Sequence, residues 1–118
     1  MQHKNLSLVL KQVTGALIDH YQDRMESIIL YGSQARGDAR DYSDIDLLII
    51  LKTLDHPYDE IDQTTDLMSQ VCLDYDVVIS WYFISLERFN AQDSPFMFNV
   101  KKEGIVYKPL TLSRTGKI

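Results

Sequence analysis

The chain has 118 residues, 45% apolar and 25% charged, which suits one compact core and excludes a disordered or collagen-like segment. Seventeen acidic against twelve basic side chains give a formal charge of −5, which repels phosphate backbones and argues against a stand-alone nucleic-acid binder. A single cysteine, Cys72, excludes an internal disulfide and makes a reducing cytoplasm the expected compartment, while the longest aliphatic run, Leu47–Leu51, falls far short of the roughly 20 residues of a membrane span.

From the N-terminus, Leu6, Leu10, Val13, Leu17 and Tyr21 recur at the spacing of one helical face, with Gly15 a local weakness of about 1 kcal/mol against alanine. Ser27–Tyr31 reads as a short buried strand ended by Gly32. Residues 33–43 are polar and read as a loop with at most one helical turn. Asp44–Lys52 is the second strand: Ile45, Leu47, Ile49 and Leu51 take one face, and Asp46, Leu48 and Ile50 the other. Both faces are apolar except at one N-terminal corner, so this strand belongs in the middle of a covered sheet. Pro57 opens the second long helix, with Asp59 and Glu60 favourable in its first turn and Tyr58, Ile61, Thr65, Met68 and Cys72 on its stripe. Asp76–Ile84 is the third strand, in which Trp81, Tyr82 and Phe83 read as core and face residues. Ser85 caps a short helix through Ala91, and Ser94-Pro95 caps another that runs to Glu103 and stops at Gly104. Ile105–Tyr107 is a short last strand. Pro109–Ile118 has no periodicity and reads as a loose tail after a single domain at 1–108. The order α-β-loop-β-α-β-α-α-β predicts an α/β (α+β) fold, a small mixed β-sheet with helices packed on one face.

The chemistry concentrates in Gly32-Ser33, ten residues, then Asp44-Ile45-Asp46. Residues i and i+2 of a strand share a face, roughly 6.5–7 Å apart. Two carboxylates so placed on an apolar strand repel each other and lose hydration unless a counter-charge is near. Two divalent cations about 3.5–4 Å apart would supply it, and Mg2+ suits a few carboxylates combined with water and substrate phosphates. Gly32 lets the backbone approach a ligand, and Ser33 offers a hydroxyl and an N–H to a phosphate oxygen. Asp76, at the head of the third strand, is the candidate third carboxylate, with Asp74 in its place if the register is one pleat out. The competing structural reading has Asp44 capping the strand and Asp46 meeting a buried Arg or Lys. His3, His20 and His56 are scattered, and Cys72 reads as packing.

Leu30-Tyr31-Gly32-Ser33-Gln34-Ala35-Arg36-Gly37 followed by Ser43-Asp44-Ile45-Asp46-Leu47 resembles the signature of the minimal nucleotidyltransferases of the DNA polymerase β superfamily. The likeness extends over residues 25–108 and includes the closing Lys102–Tyr107 stretch. It implies a nucleotidyltransferase fold and Mg2+-dependent transfer of a nucleoside monophosphate, usually from ATP. By position it implies Gly32 and Ser33 as the triphosphate-binding pair, Asp44 and Asp46 as the acids bridging two Mg2+ ions, and Asp76 as the third ligand near the incoming hydroxyl. Arg36 and Arg40, in the loop, are candidates for contact with phosphate or acceptor. Small proteins similar to this one are often the antitoxins of MNT/HEPN toxin–antitoxin pairs, where they resemble protein adenylyltransferases that modify a tyrosine of the toxin. The implied partner is therefore a HEPN-family toxin or similar helical protein, in the cytoplasm, with no membrane and no nucleic acid for this chain alone; a homo-oligomer stays open. Two further readings stay open as well. One is a non-catalytic antitoxin that neutralises its partner by occlusion. The other is a small-molecule (antibiotic) nucleotidyltransferase, although such enzymes carry an additional domain.

Overall fold

A computed structural model describes residues 5–37, 44–91 and 94–108, the last two of these by backbone alone. The elements are α1 (Leu6–Tyr21), β1 (Met25–Tyr31), α2 (Ser33–Arg36), β2 (Ile45–Leu51), α3 (Pro57–Tyr75), β3 (Ile79–Ser85), α4 (Leu86–Ala91), α5 (Pro95–Glu103) and β4 (Ile105–Lys108). The strands lie in the order β3-β2-β1-β4. β1 pairs antiparallel with β2 and β4, whereas β2 pairs parallel with β3 after the α3 crossover, so the sheet is mixed as expected. Its central strand β2 buries six of its seven side chains, which follows from its apolar residues on both faces.

Two apolar clusters sandwich the sheet. Leu10, Val13 and Leu17 of α1 and Met68 of α3 pack on Ile28, Leu30, Leu47 and Ile49. The opposite face holds Ile29, Leu48, Ile50 and Ile84 under Met97 and Val100 of α5. The one-face packing expected of the helices thus describes the two long ones, while α5 covers part of the other face. Among the described residues no helix is long and apolar enough to cross a membrane.

Local cap signals act as the sequence implies: Arg88 N–H donates to Ser85 Oγ at 3.2 Å and Met97 N–H to Ser94 Oγ at 3.1 Å. Two expectations need correction. The buried stripe of α3 is Glu60, Thr64, Met68 and Val71, whereas Tyr58 is 85% exposed. Polar partners explain the rotation. Glu60 accepts from Tyr21 Oη at 2.9 Å and from Arg24 Nη2 at 3.0 Å. Thr64 Oγ1 accepts from Trp81 Nε1 at 2.9 Å and donates to the Glu60 carbonyl at 2.8 Å. Buried polar groups satisfied in this way cost little, and hydrophobic periodicity does not detect them. Glu60→Ala is accordingly expected to cost about 2 kcal/mol, mainly by orphaning the Tyr21 hydroxyl, because the Arg24 side chain is 44% exposed and its pairing is screened. A urea midpoint equal to that of the unmodified protein would count against this account.

The second correction concerns β3, which starts at Ile79 rather than Asp76. Asp76 ends α3 in the left-handed region at φ 53° and ψ 54°, a conformation that Asp tolerates better than most residues. The Val77-Val78 pair carries the strand's composition upstream of Ile79, and the Val78 carbonyl accepts from the Ile45 N–H of β2 at 2.9 Å.

Candidate active site

β1 delivers the chain to Gly32, whose φ of 76° turns it into the single helical turn α2. Ala35 and Arg36 N–H both bond to the Gly32 carbonyl at 3.1 Å, which leaves the first N–H groups of the turn without a carbonyl inside it. Tyr31, the residue before, stands opposite Asp46 in the antiparallel ladder. The turn and the carboxylate are in such close contact that a Cβ added to Gly32 would overlap Asp46 Oδ2. On the other side of β2, Asp46 is opposite Ser80 of β3. Ser80 Oγ donates to Asp44 Oδ2 at 3.1 Å, which draws the exposed Asp44 onto the same corner.

The electrostatics follow from this crowding. Burial first, and the Asp44 charge second, push the Asp46 carboxyl above its ordinary value, while Arg36 opposes the rise. Arg36 also bonds Glu103 Oε2 of α5 at 3.3 Å. The Tyr31 hydroxyl is held well above the usual phenol range by burial, then by Asp46 and by Tyr82, and so stays neutral. Its ring meets Phe96 edge-on at 5.5 Å. Beside Asp46 a cleft of about 620 Å³ runs along the β2–β3 face, lined by Tyr31, Ser80, Tyr82 and Phe96 and reaching Arg88.

Of the residues singled out in the sequence, Gly32, Asp44 and Asp46 meet at this corner, with Ser33 next to Gly32. Arg36 is at the end of the turn, and Arg40 lies outside the described residues. Asp76 does not join the pair, and Asp74 is on α3, bonded by Gln70 Nε2 at 2.8 Å. Among the described residues no group of three or more His, Cys, Asp or Glu side chains could hold a metal ion. The expected three-acid convergence is absent because β3 begins three residues later than its composition suggests, which brings Ser80 rather than an acid beside Asp46. Sequence reasoning missed Ser80, together with Tyr31, Tyr82 and Phe96 as cleft walls. Strand register is the signal that finds Ser80, as the first polar residue of β3 on the Asp46 face.

The family described as Polymerase beta, Nucleotidyltransferase matches residues 16–108. A Methanocaldococcus jannaschii protein provisionally named a protein adenylyltransferase is 38% identical over 103 residues, which cover 86% of this chain and 97% of that protein. Another protein of that organism with the same kind of name is 32% identical over 72 residues, 61% of this chain and 72% of its own. Among solved structures, a chain from a toxin–antitoxin crystal structure with AMP-PNP superposes with a TM-score of 0.60 at 16% identity, covering 90% of this chain and 77% of that one. A chain from the complex of tri-AMPylated Shewanella oneidensis HEPN toxin with MNT antitoxin gives 0.55 at 16% identity, covering 92% and 76%. At such identities these two likenesses concern the fold.

Proposed function

Since the chain belongs to the polymerase beta nucleotidyltransferase family, we propose that it transfers AMP from ATP to a tyrosine hydroxyl of a partner protein, as an antitoxin acting on a HEPN-type toxin. Its relatives named as protein adenylyltransferases and the toxin–antitoxin likeness support this choice of acceptor. One observation carries the reading: the Gly32 turn lies against the Asp46 carboxylate so closely that no side chain fits between them. In this reading the turn binds phosphate, and the contact supports that by setting it beside a pair of acids.

The pair suits a divalent cation. Two carboxylates share one corner, and Asp46 has its proton affinity raised by burial and by its neighbour. Asp44 and Asp46 would hold Mg2+, with triphosphate and water completing the shell; a second ion would need a ligand beyond the described acids. Bound there, the cation supplies neutralisation of phosphate charge and a lowered pKa for the acceptor hydroxyl. In the proposed reaction the chain's own groups position the reactants. The Ser33 hydroxyl and N–H grip the outer phosphates in this reading. Ser80 fixes the orientation of Asp44 through its 3.1 Å hydrogen bond. Tyr31, kept neutral, adds no charge against the triphosphate. Arg36, once released from Glu103, and Arg40 are further phosphate contacts in this reading. The acceptor oxygen bonds to the α-phosphorus, the bond to pyrophosphate breaks, and the proton is lost to solvent.

The test is intact-mass analysis of the helical partner encoded beside this protein, after incubation with the protein, Mg2+ and each NTP in turn. A gain of one or more AMP units on a tyrosine peptide supports the proposal, and no gain with any NTP overturns it. The lack of a third acid beside the pair among the described residues favours a second reading, neutralisation by occlusion alone. That reading wins if the Asp44→Asn/Asp46→Asn double variant still neutralises the partner. Ser80→Asp probes the same gap. It is expected to tighten Mg2+ binding about tenfold, seen as a larger Mg2+-dependent rise in Tm, and to lower Tm in metal-free buffer through like-charge repulsion. If Mg2+ shifts the Tm of both proteins equally, Ser80 is not at the metal position.

A further inference from the structure

We propose that the acceptor docks as an added strand on the outer edge of β3, and that this geometry selects a tyrosine over a serine or threonine; the inference rests on the transferase reading above. β3 is the end strand of the sheet, and no described strand pairs with its outer side. The Ile45 N–H donates to the Val78 carbonyl at 2.9 Å. In a parallel ladder the inward-facing residues alternate, so Ser80, Tyr82 and Ile84 direct their main-chain groups to β2. Ile79, Trp81, Phe83 and Ser85 therefore turn theirs outward. Exposed edges are normally blunted by charge, Pro or a bulge, and Ile79–Ser85 contains no charged residue and no Pro, while its pairing to β2 is unbroken in register. A row of unpaired donors and acceptors takes an extended peptide, which satisfies them with its own main chain.

The position of this edge relative to Asp46 decides what the peptide must carry. Asp46 has β1 on one side and β3 on the other, and the phosphate-binding turn follows β1. In-line displacement places the nucleophile opposite the leaving pyrophosphate, which is the β3 side. A peptide residue opposite Ser80 would share the Asp46 face at two strand spacings from it, about 9.6 Å. With bonds of about 1.5 Å, a phenol carries its hydroxyl roughly three times as far from the Cα as a serine does. The phenol crosses roughly two thirds of that gap and the serine hydroxyl roughly a quarter, so only the phenol comes within reach of a phosphate held beside Asp46. Tyr82, 56% exposed and two residues further along the same face, would flank the incoming ring.

The probe is the peptide KTVYVTK, compared with the same peptide carrying serine for tyrosine and with a version N-methylated at alternate amides. Hydrogen exchange reads docking without any chemistry: the Ile79, Trp81 and Phe83 amides are expected to slow about tenfold with KTVYVTK and to be unaffected by the N-methylated version. With Mg2+ and ATP, AMP is expected on the tyrosine peptide about a hundredfold faster than on the serine peptide. Equal labelling of the two, labelling that survives N-methylation, or unchanged β3 exchange overturns the proposal. Protection of the β3 amides that grows with protein concentration alone would overturn it too, because the edge would then pair with a second copy. Protection by the peptide without AMP on any acceptor, the toxin included, upholds the docking edge and overturns the transferase reading instead.

Discussion

Asp46→Asn is expected to abolish transfer and, in metal-free buffer at neutral pH, to raise the stability of the protein. Asp46 is packed between Tyr31 and Ser80 with Asp44 two residues away, and burial followed by the Asp44 charge raises its pKa above the ordinary 3.8. Between 3.8 and the raised folded value the native state binds more protons than the unfolded chain. Stability therefore falls as pH climbs through that window and stays lower above it. Asparagine keeps the shape and removes the charge, so the variant should melt higher than the wild type at pH 7. The difference should vanish below pH 3.8, where the carboxyl is protonated in both states. Transfer should drop about a thousandfold, since the phosphate charge would lose several kcal/mol of stabilisation. Mg2+ should raise the Tm of the wild type and leave that of the variant nearly unchanged. A variant less stable than the wild type at pH 7 would mean that Asp46 is neutralised inside the protein and does not await a cation.

Gly32→Ala should be nearly as damaging to activity, for steric reasons. Gly32 has φ 76° and ψ −158°, a region open almost only to glycine, and the added methyl group overlaps Asp46 Oδ2. Either Asp46 swings away or the turn shifts, and both separate the acids from the turn proposed to hold phosphate. Transfer should fall about a hundredfold or more, with a stability loss of about 2 kcal/mol. Gly37→Ala is the matched control. Gly37 also has a positive φ of 82°, yet an added Cβ there meets nothing within 4 Å. It should pay backbone strain of about 1 kcal/mol and keep most of its activity. If the two variants transfer AMP equally well, the contact between turn and carboxylate has no part in the chemistry.

The buried face of α1, the caps of α4 and α5, the central place of β2 and the Gly-Ser turn ahead of two acids were all legible along the chain. Each is a local signal, set by alternation, by a capping hydroxyl or by a glycine. Residues paired across distance were not. Glu60 and Thr64 are buried because Tyr21 and Trp81 reach them from other elements, and a count of apolar residues assigns them to the surface. Asp76 carried the composition of a strand and became the left-handed end of a helix, which left the place beside Asp46 to Ser80. The Gly-Ser turn and the acid pair were thus written in the linear order of residues. Which side chain completes that corner, and which strand edge stays open next to it, depended on pairing between β2 and β3, because register is an agreement between two segments and neither one contains it alone.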